Sequence, residues 1–192
     1  MRFGSLSYSR SRAYNKVMAK VLFVIARKGF RDEEYFIPKE VLIEAGHTIV
    51  TASNGSVGEN AAGSHGGEAR IDVYIGDADT KKYNAVVFAG GQGALENLDN
   101  ERSYRIIREA IAQGKLLGAI CIAPTILAKA GALQGKNATV WSSLPDKAPV
   151  AILKNNGAEY IDAPVVEDGA IITANGPKAA HAFGEALAAR LL

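Results

Sequence analysis

Apolar residues fall along this chain in two alternating rhythms. Short continuous runs rich in β-branched residues are separated by stretches where apolar side chains recur every three or four positions. "KVLFVIA" (20–26) is the first run, and it predicts a strand buried on both faces. "RDEEYFIPKEVLIEAG" (31–46) carries apolar residues at 36, 37, 41, 42 and 45, which is helical spacing, and Gly46 supplies the stop. Pro38 is placed early, where a helix tolerates it. "HTIVTAS" (47–53) predicts a second strand, so the chain opens β-α-β with connections short enough for parallel neighbours.

The glycine-rich stretch 54–76 is weakly periodic and predicts a loop with a hairpin or edge strand near 68–74. "NAVVFAGG" (84–91) predicts a strand ending in two glycines, and "NERSYRIIREAIAQG" (100–114) an amphipathic helix. "KLLGAIC" (115–121) and "APTILAKAG" (123–131) repeat the strand–helix pair. A short strand at 137–143, a short capped helix at 146–157 and a hairpin-like pair at 163–176 around Asp168-Gly169 follow. Pro177, as the first helical residue, opens a closing helix over 177–192. Alternating strands and helices predict an α/β architecture, a mostly parallel sheet between helix layers. No internal repeat or interdomain linker interrupts the alternation.

Length and composition narrow this little. At 192 residues, with 48% hydrophobic and 22% charged residues, the chain suits one ordinary globular domain. A net charge of +2 gives no electrostatic case for nucleic acid. No apolar run reaches the roughly eighteen residues of a membrane-spanning helix, so no membrane partner is expected. A single cysteine rules out an intramolecular disulfide and fits a reducing, cytoplasmic setting. The first seventeen residues differ: Arg2, Arg10, Arg12, Lys16 and four serines, with no acid. A transit peptide has this composition and a secretory signal does not. The simpler expectation is a basic, disordered extension over 1–18, with 19–192 forming the domain.

That single cysteine, Cys121, is the main chemical candidate. Sites in doubly wound sheets lie beyond the carboxyl ends of the strands, and Cys121 falls there, at the end of "KLLGAI". A nucleophile held on a sharp strand-to-helix turn needs small residues two before and two after it, and Ala119 and Ala123 meet that need. Pro124 suits the first helical turn, whose free amides and dipole favour a thiolate. Gly90 and Gly91, with the Ile122 amide, could supply backbone N–H groups to an oxyanion. The plainer alternatives are a buried, inert cysteine and glycines that serve only a tight turn.

"GAICIAPTILAKAG", with "VVFAGG" upstream and "IITANGP" downstream, resembles the ThiJ/PfpI superfamily over about residues 19–192. That superfamily holds archaeal endopeptidases, a parkinsonism-associated deglycase, and bacterial stress chaperones and glyoxalases. The resemblance implies a flavodoxin-like three-layer α/β fold and self-association into a homodimer or larger oligomer. It implies that Cys121 is the elbow cysteine in a strained backbone conformation. It also implies that Glu34, counted back from Pro38, is the glutamate set against the sulfur, protonated and lowering the thiol pKa. Without the resemblance, Glu34 reads as a helix N-terminal acid, like Asp32 and Glu33.

Two departures bear on activity. The peptidase-type members carry a histidine directly after the cysteine, where this chain has Ile122. The deglycase-like members place one further on in a "THP" segment, where this chain has "TVWSS", with Trp141 or Ser142 at that place. Trp141 is a candidate for the pocket wall, with core packing as the alternative. His47 reads as a polar cap or surface residue at the second strand. His181 packs or points to solvent in the last helix, and His65 lies in a glycine-rich loop that could reach a neighbouring subunit. The three histidines lack metal-ligand spacing, so neither a metal nor a cofactor is expected. A Cys-His peptidase is disfavoured. The resemblance favours a glyoxalase- or deglycase-like enzyme, with Cys121 and Glu34 acting on a small carbonyl substrate or glycated protein. The alternative from a different class is a non-catalytic redox sensor or holdase chaperone.

Overall fold

The computed structural model describes residues 18–192. The expectation for the basic N-terminal extension therefore lies outside the described residues, Met18 excepted. The strands are β1 (Lys20–Ile25), β2 (Lys28–Phe30), β3 (Thr48–Ser53), β4 (Asn60–Gly63), β5 (Glu68–Arg70) and β6 (Val73–Tyr74). Then come β7 (Ala85–Phe88), β8 (Leu116–Ile120), β9 (Asn137–Ala138), β10 (Glu159–Tyr160), β11 (Val165–Asp168) and β12 (Ile171–Ala174). The helices are α1 (Asp32–Glu44), α2 (Gln92–Asn97), α3 (Glu101–Ala112), α4 (Pro124–Lys129), α5 (Ala148–Asn155) and α6 (Ala180–Arg190).

Seven strands form the main sheet in the order β11-β12-β8-β7-β1-β3-β6. Every neighbouring pair is parallel except the β11–β12 hairpin at the edge. This is the mostly parallel, flavodoxin-like α/β sandwich. Strand pleating sends alternate residues to opposite faces. Val21, Phe23 and Ile25 join the core beneath α1 and α6, where Tyr35, Leu42, Phe183 and Leu187 pack. Leu22 and Val24 join the other core with Ile106 and Ile107 of α3, Ile126 and Leu127 of α4, and Leu153 of α5. Continuous apolar runs are the sequence mark of strands covered on both faces.

Several expected elements take a different form. The stretch 54–76 divides: β4 and β5 form a hairpin that joins β2 in a satellite sheet, while β6 adds to the edge of the main sheet. The strand expected over 137–143 shrinks to β9, paired only with β10 outside the main sheet. Pro177 begins a 3-10 turn, Pro177–Ala179, and α6 starts after it. Pro38 is an interior residue of α1, six past its first position. Lacking an N–H, it leaves the carbonyl of Glu34, four residues earlier, without its helical donor. Gly46 has φ +88° and ends the turn after α1, as a glycine stop requires. Among the described residues, no helix is long and apolar enough to cross a membrane.

Candidate functional site

Three loops meet at the carboxyl edge of the sheet: the start of α1, the β7–α2 turn and the β8–α4 turn. Cys121 is in the last of these. Its φ is +64°, and no other described non-glycine residue has a positive φ. A residue carrying Cβ there costs roughly 1–2 kcal/mol, so the surroundings must impose it. They do so from both sides. The Cys121 N–H donates to the Ala174 carbonyl at 2.8 Å, and its carbonyl accepts from the Trp141 N–H at 2.8 Å. The side chain is half-buried.

Glu34, in the first turn of α1, has no exposed surface. Its Oε2 accepts the Gly90 N–H at 3.1 Å. Oε1 has no partner with full hydrogen-bond geometry, and the side chain coupled to the carboxyl is the Cys121 thiol. Burial is the dominant influence and lifts Glu34 from its ordinary 4.5 to about 7, against the opposing pull of the thiol and the Gly90 amide. Burial likewise pushes the Cys121 thiol up, and the neighbouring carboxylate pushes it further. Hydrogen bonds from the Gly91 and Ile122 amides draw it back in part.

Burial thus opposes the lowering of the thiol that the resemblance assigns to Glu34. Two groups share one dry site, so they titrate as a unit. Above about pH 7 the pair has lost one proton. The proton that remains can sit on sulfur or on the carboxyl. Losing it as well would leave two like charges side by side, which burial opposes.

The glycines divide their work differently from the expectation. The Gly90 N–H is engaged by Glu34, so Gly90 is not an oxyanion donor; Gly91 and Ile122 are the amides directed at the sulfur. A Cβ on Gly90 would lie 2.8 Å from the Cys121 Cβ, Glu34 Oε2 and the Ile120 carbonyl alike. Only glycine lets the carboxyl and the cysteine approach this turn together. The α1 and β7–α2 loops are tied by the Arg31 N–H, which donates to the Gly90 carbonyl at 3.1 Å.

Cys121 and Glu34 open into a cleft of about 570 Å3. Trp141 and Ile122 line it, and so do Arg31, Gln92, Leu95, Asp146, Pro149, Ile152 and Pro177, which the sequence reading passed over. Two signals could have found some of them. Residues just after Gly90-Gly91 stay at the strand edge, and Pro149 near the start of α5 marks a helix beginning at the same edge.

Among the described residues no histidine lines this cleft. His47 is 4% exposed, and its Nδ1 accepts the Ala19 N–H at 3.2 Å, so it is a buried strand-end partner, not a surface residue. His65, in the β4–β5 turn, stands 3.5 Å from Glu33 Oε2. His181 points to solvent beside Glu185. No cluster of three or more His, Cys, Asp or Glu residues among the described residues could hold a metal ion.

Residues 19–190 match the family model described as the DJ-1/PfpI family. An uncharacterized protein of Methanocaldococcus jannaschii is 40% identical over 182 residues, covering 93% of this chain and 85% of the relative. A protein named as a deglycase from Pyrococcus horikoshii is 31% identical over 166 residues, covering 85% of this chain and 94% of the relative. Among solved structures, the ThiJ/PfpI domain protein from Brachyspira murdochii is similar with a TM-score of 0.84 at 29% identity. That match covers 91% of this chain and 96% of the other.

Proposed function

The chain belongs to the DJ-1/PfpI family, and we propose that it is a deglycase-like enzyme acting on small 2-oxoaldehydes and their protein adducts through Cys121 and Glu34. One observation carries this reading. A half-buried cysteine, held at φ +64°, faces a cleft beside a buried carboxyl whose proton is exchangeable near pH 7. A group poised near the working pH is suited to both giving and taking a proton.

The chemistry follows from the pair. The sulfur bonds to the aldehyde carbon, and the thiol proton ends on the oxygen of the resulting hemithioacetal. Glu34, as carboxylate, takes the hydrogen from that same carbon as a proton; the hydroxyl proton of the hemithioacetal passes to the former ketone oxygen, and an enediolate forms. Glu34 returns its proton to the neighbouring carbon, which converts the enediolate into the thioester of a 2-hydroxy acid. Water cleaves the thioester, releasing the acid and restoring the thiol. The Gly91 and Ile122 amides reach the sulfur, which supports a role for them as donors to the alkoxide that forms next to it. Ile122 stands where the peptidase-type members carry a histidine after the cysteine, which disfavours a Cys-His peptidase.

Purified protein given methylglyoxal should release lactate. Cys121→Ala should abolish the release, and Glu34→Gln should slow it by about 10²-fold. Wild-type turnover no faster than that of Cys121→Ala would end the proposal. Two further parts of the reading rest on the family alone: self-association into a dimer or larger oligomer, and work in the cytoplasm, where a free thiol stays reduced.

A further inference from the structure

Methylglyoxal is smaller and more polar than this cleft requires. A volume of about 570 Å3 falls in the range of pockets that hold far larger ligands. The distribution of polarity is also uneven. Ile122, Trp141, Leu95 of α2 and Pro149 and Ile152 of α5 give the cleft apolar walls. The polar side chains differ sharply in exposure. Glu34 is wholly buried beside Cys121, whereas Gln92 and Asp146 are exposed. The cation in the lining, Arg31, is already engaged: its Nε donates to Glu33 at 2.8 Å and its Nη2 at 3.2 Å. The guanidinium therefore has a carboxylate partner within the chain and does not call for an anionic substrate.

We propose that the cleft selects 2-oxoaldehydes whose ketone carbon carries a branched alkyl or similarly apolar group, with Ile122, Trp141 and Ile152 as the specificity residues. This rests on the reading of Cys121 as the group that meets the aldehyde carbon. With the aldehyde on the sulfur and its C–H beside Glu34, the substituent on the adjacent carbon extends toward the apolar walls. Transfer of apolar surface from water to those walls supplies the selectivity. A branched substrate with three more carbons than methylglyoxal, even half covered, gains about tenfold in specificity.

The direct test compares 4-methyl-2-oxopentanal with methylglyoxal. Wild type should favour the branched substrate about tenfold in kcat/KM, through KM. In Ile152→Ser and Trp141→Ala that ratio should fall toward one. Equal specificity in wild type, or a ratio unmoved by both substitutions, would overturn the proposal.

A second measurement needs no turnover. Two ketones that cannot complete the reaction, 4-methyl-2-pentanone and acetone, are compared as protectants of Cys121 against iodoacetamide. The branched ketone should half-protect at a concentration about tenfold lower. Trp141 is the only tryptophan in the chain, so its emission should change at the same concentrations. Equal protection by the two ketones rejects the apolar preference. Selective protection without any lactate production rejects the proposed reaction while leaving the preference standing. Wild-type protein suffices for this arm, so it decides even where a variant does not fold.

Discussion

At Cys121 and Glu34 a single proton decides what the site can do. Burial raises both groups, so neither is activated alone; the useful species is the pair after its first ionisation. That makes the pH dependence of Cys121 alkylation diagnostic. In wild type the iodoacetamide rate should rise with an inflection near pH 7, where the pair loses its first proton. In Glu34→Gln that inflection should vanish. An amide oxygen can still accept the Gly90 N–H, but no carboxyl is left to titrate. A single rise should remain, at a pH below the wild type's second ionisation, because the neighbouring negative charge is gone. At pH 7.5 the variant should react about tenfold more slowly, by the population of thiolate it retains. Persistence of the inflection near 7 in the variant would show that another group controls the thiol. Cys121 was legible in the sequence, because the small residues around it and the following Pro124 describe a sharp turn. Glu34 was legible only through family resemblance, since an acid in the first turn of a helix has an ordinary explanation. The role of Gly90 was not legible: its amide is claimed by a carboxyl 56 residues earlier in the chain.

Among the elements, the long buried strands and α3 were readable because their apolar rhythm extends over several turns or pleats. The short pieces were not. α2 has six residues, too few for a helical period to be distinguished from a loop. The satellite sheet of β2, β4 and β5 draws its pairing from distant residues, which no local pattern encodes. "TVWSS" looks like a strand by propensity, yet beyond β9 its backbone is diverted, with the Trp141 amide bonded to Cys121. α2 is nevertheless tightly seated. A Cβ on Gly93 would lie 1.8 Å from the Lys28 carbonyl, a backbone atom that cannot swing aside. Gly93→Ala should therefore push α2 off β2, taking Gly91 and Leu95 with it. The expected cost is at least about 2 kcal/mol by denaturant unfolding, as for other overpacked sites, together with an altered Cys121 alkylation rate. Gly114→Ala is the control. It meets no atom within 4 Å and carries only the strain of φ +63°, so about 1 kcal/mol should be lost with Cys121 reactivity unchanged. If the two variants behave alike in both assays, α2 does not position the site.

For the whole molecule, alternation of strands and helices was enough to give the fold class, but strand order was not in the pattern. That order places β7 and β8 side by side next to β1, so the turns carrying Gly90 and Cys121 converge on the start of α1. The convergence buries a carboxyl, and the consequence extends to global stability. In the folded chain Glu34 titrates at about 7 against its ordinary 4.5. Between those values the native state binds more protons than the unfolded state, so stability must fall as pH rises through that window. The full effect is about 3 kcal/mol for a shift of this size. The raised Cys121 thiol continues the decline in alkaline solution. Asp32 and Glu33 act in the opposite sense. Hydrogen bonds hold both below their ordinary ranges, so what they contribute is present above about pH 4.5 and is lost as pH falls further. Stability should thus peak near pH 5, and the urea midpoint should drop between pH 5 and pH 8. Glu34→Gln removes the titrating group while keeping its shape. Its midpoint should stay nearly flat across that interval and exceed the wild type's at pH 8. Curves that run parallel for the two proteins would mean that Glu34 ionises in the folded chain as easily as in the unfolded one, and that the buried pair does not hold its proton.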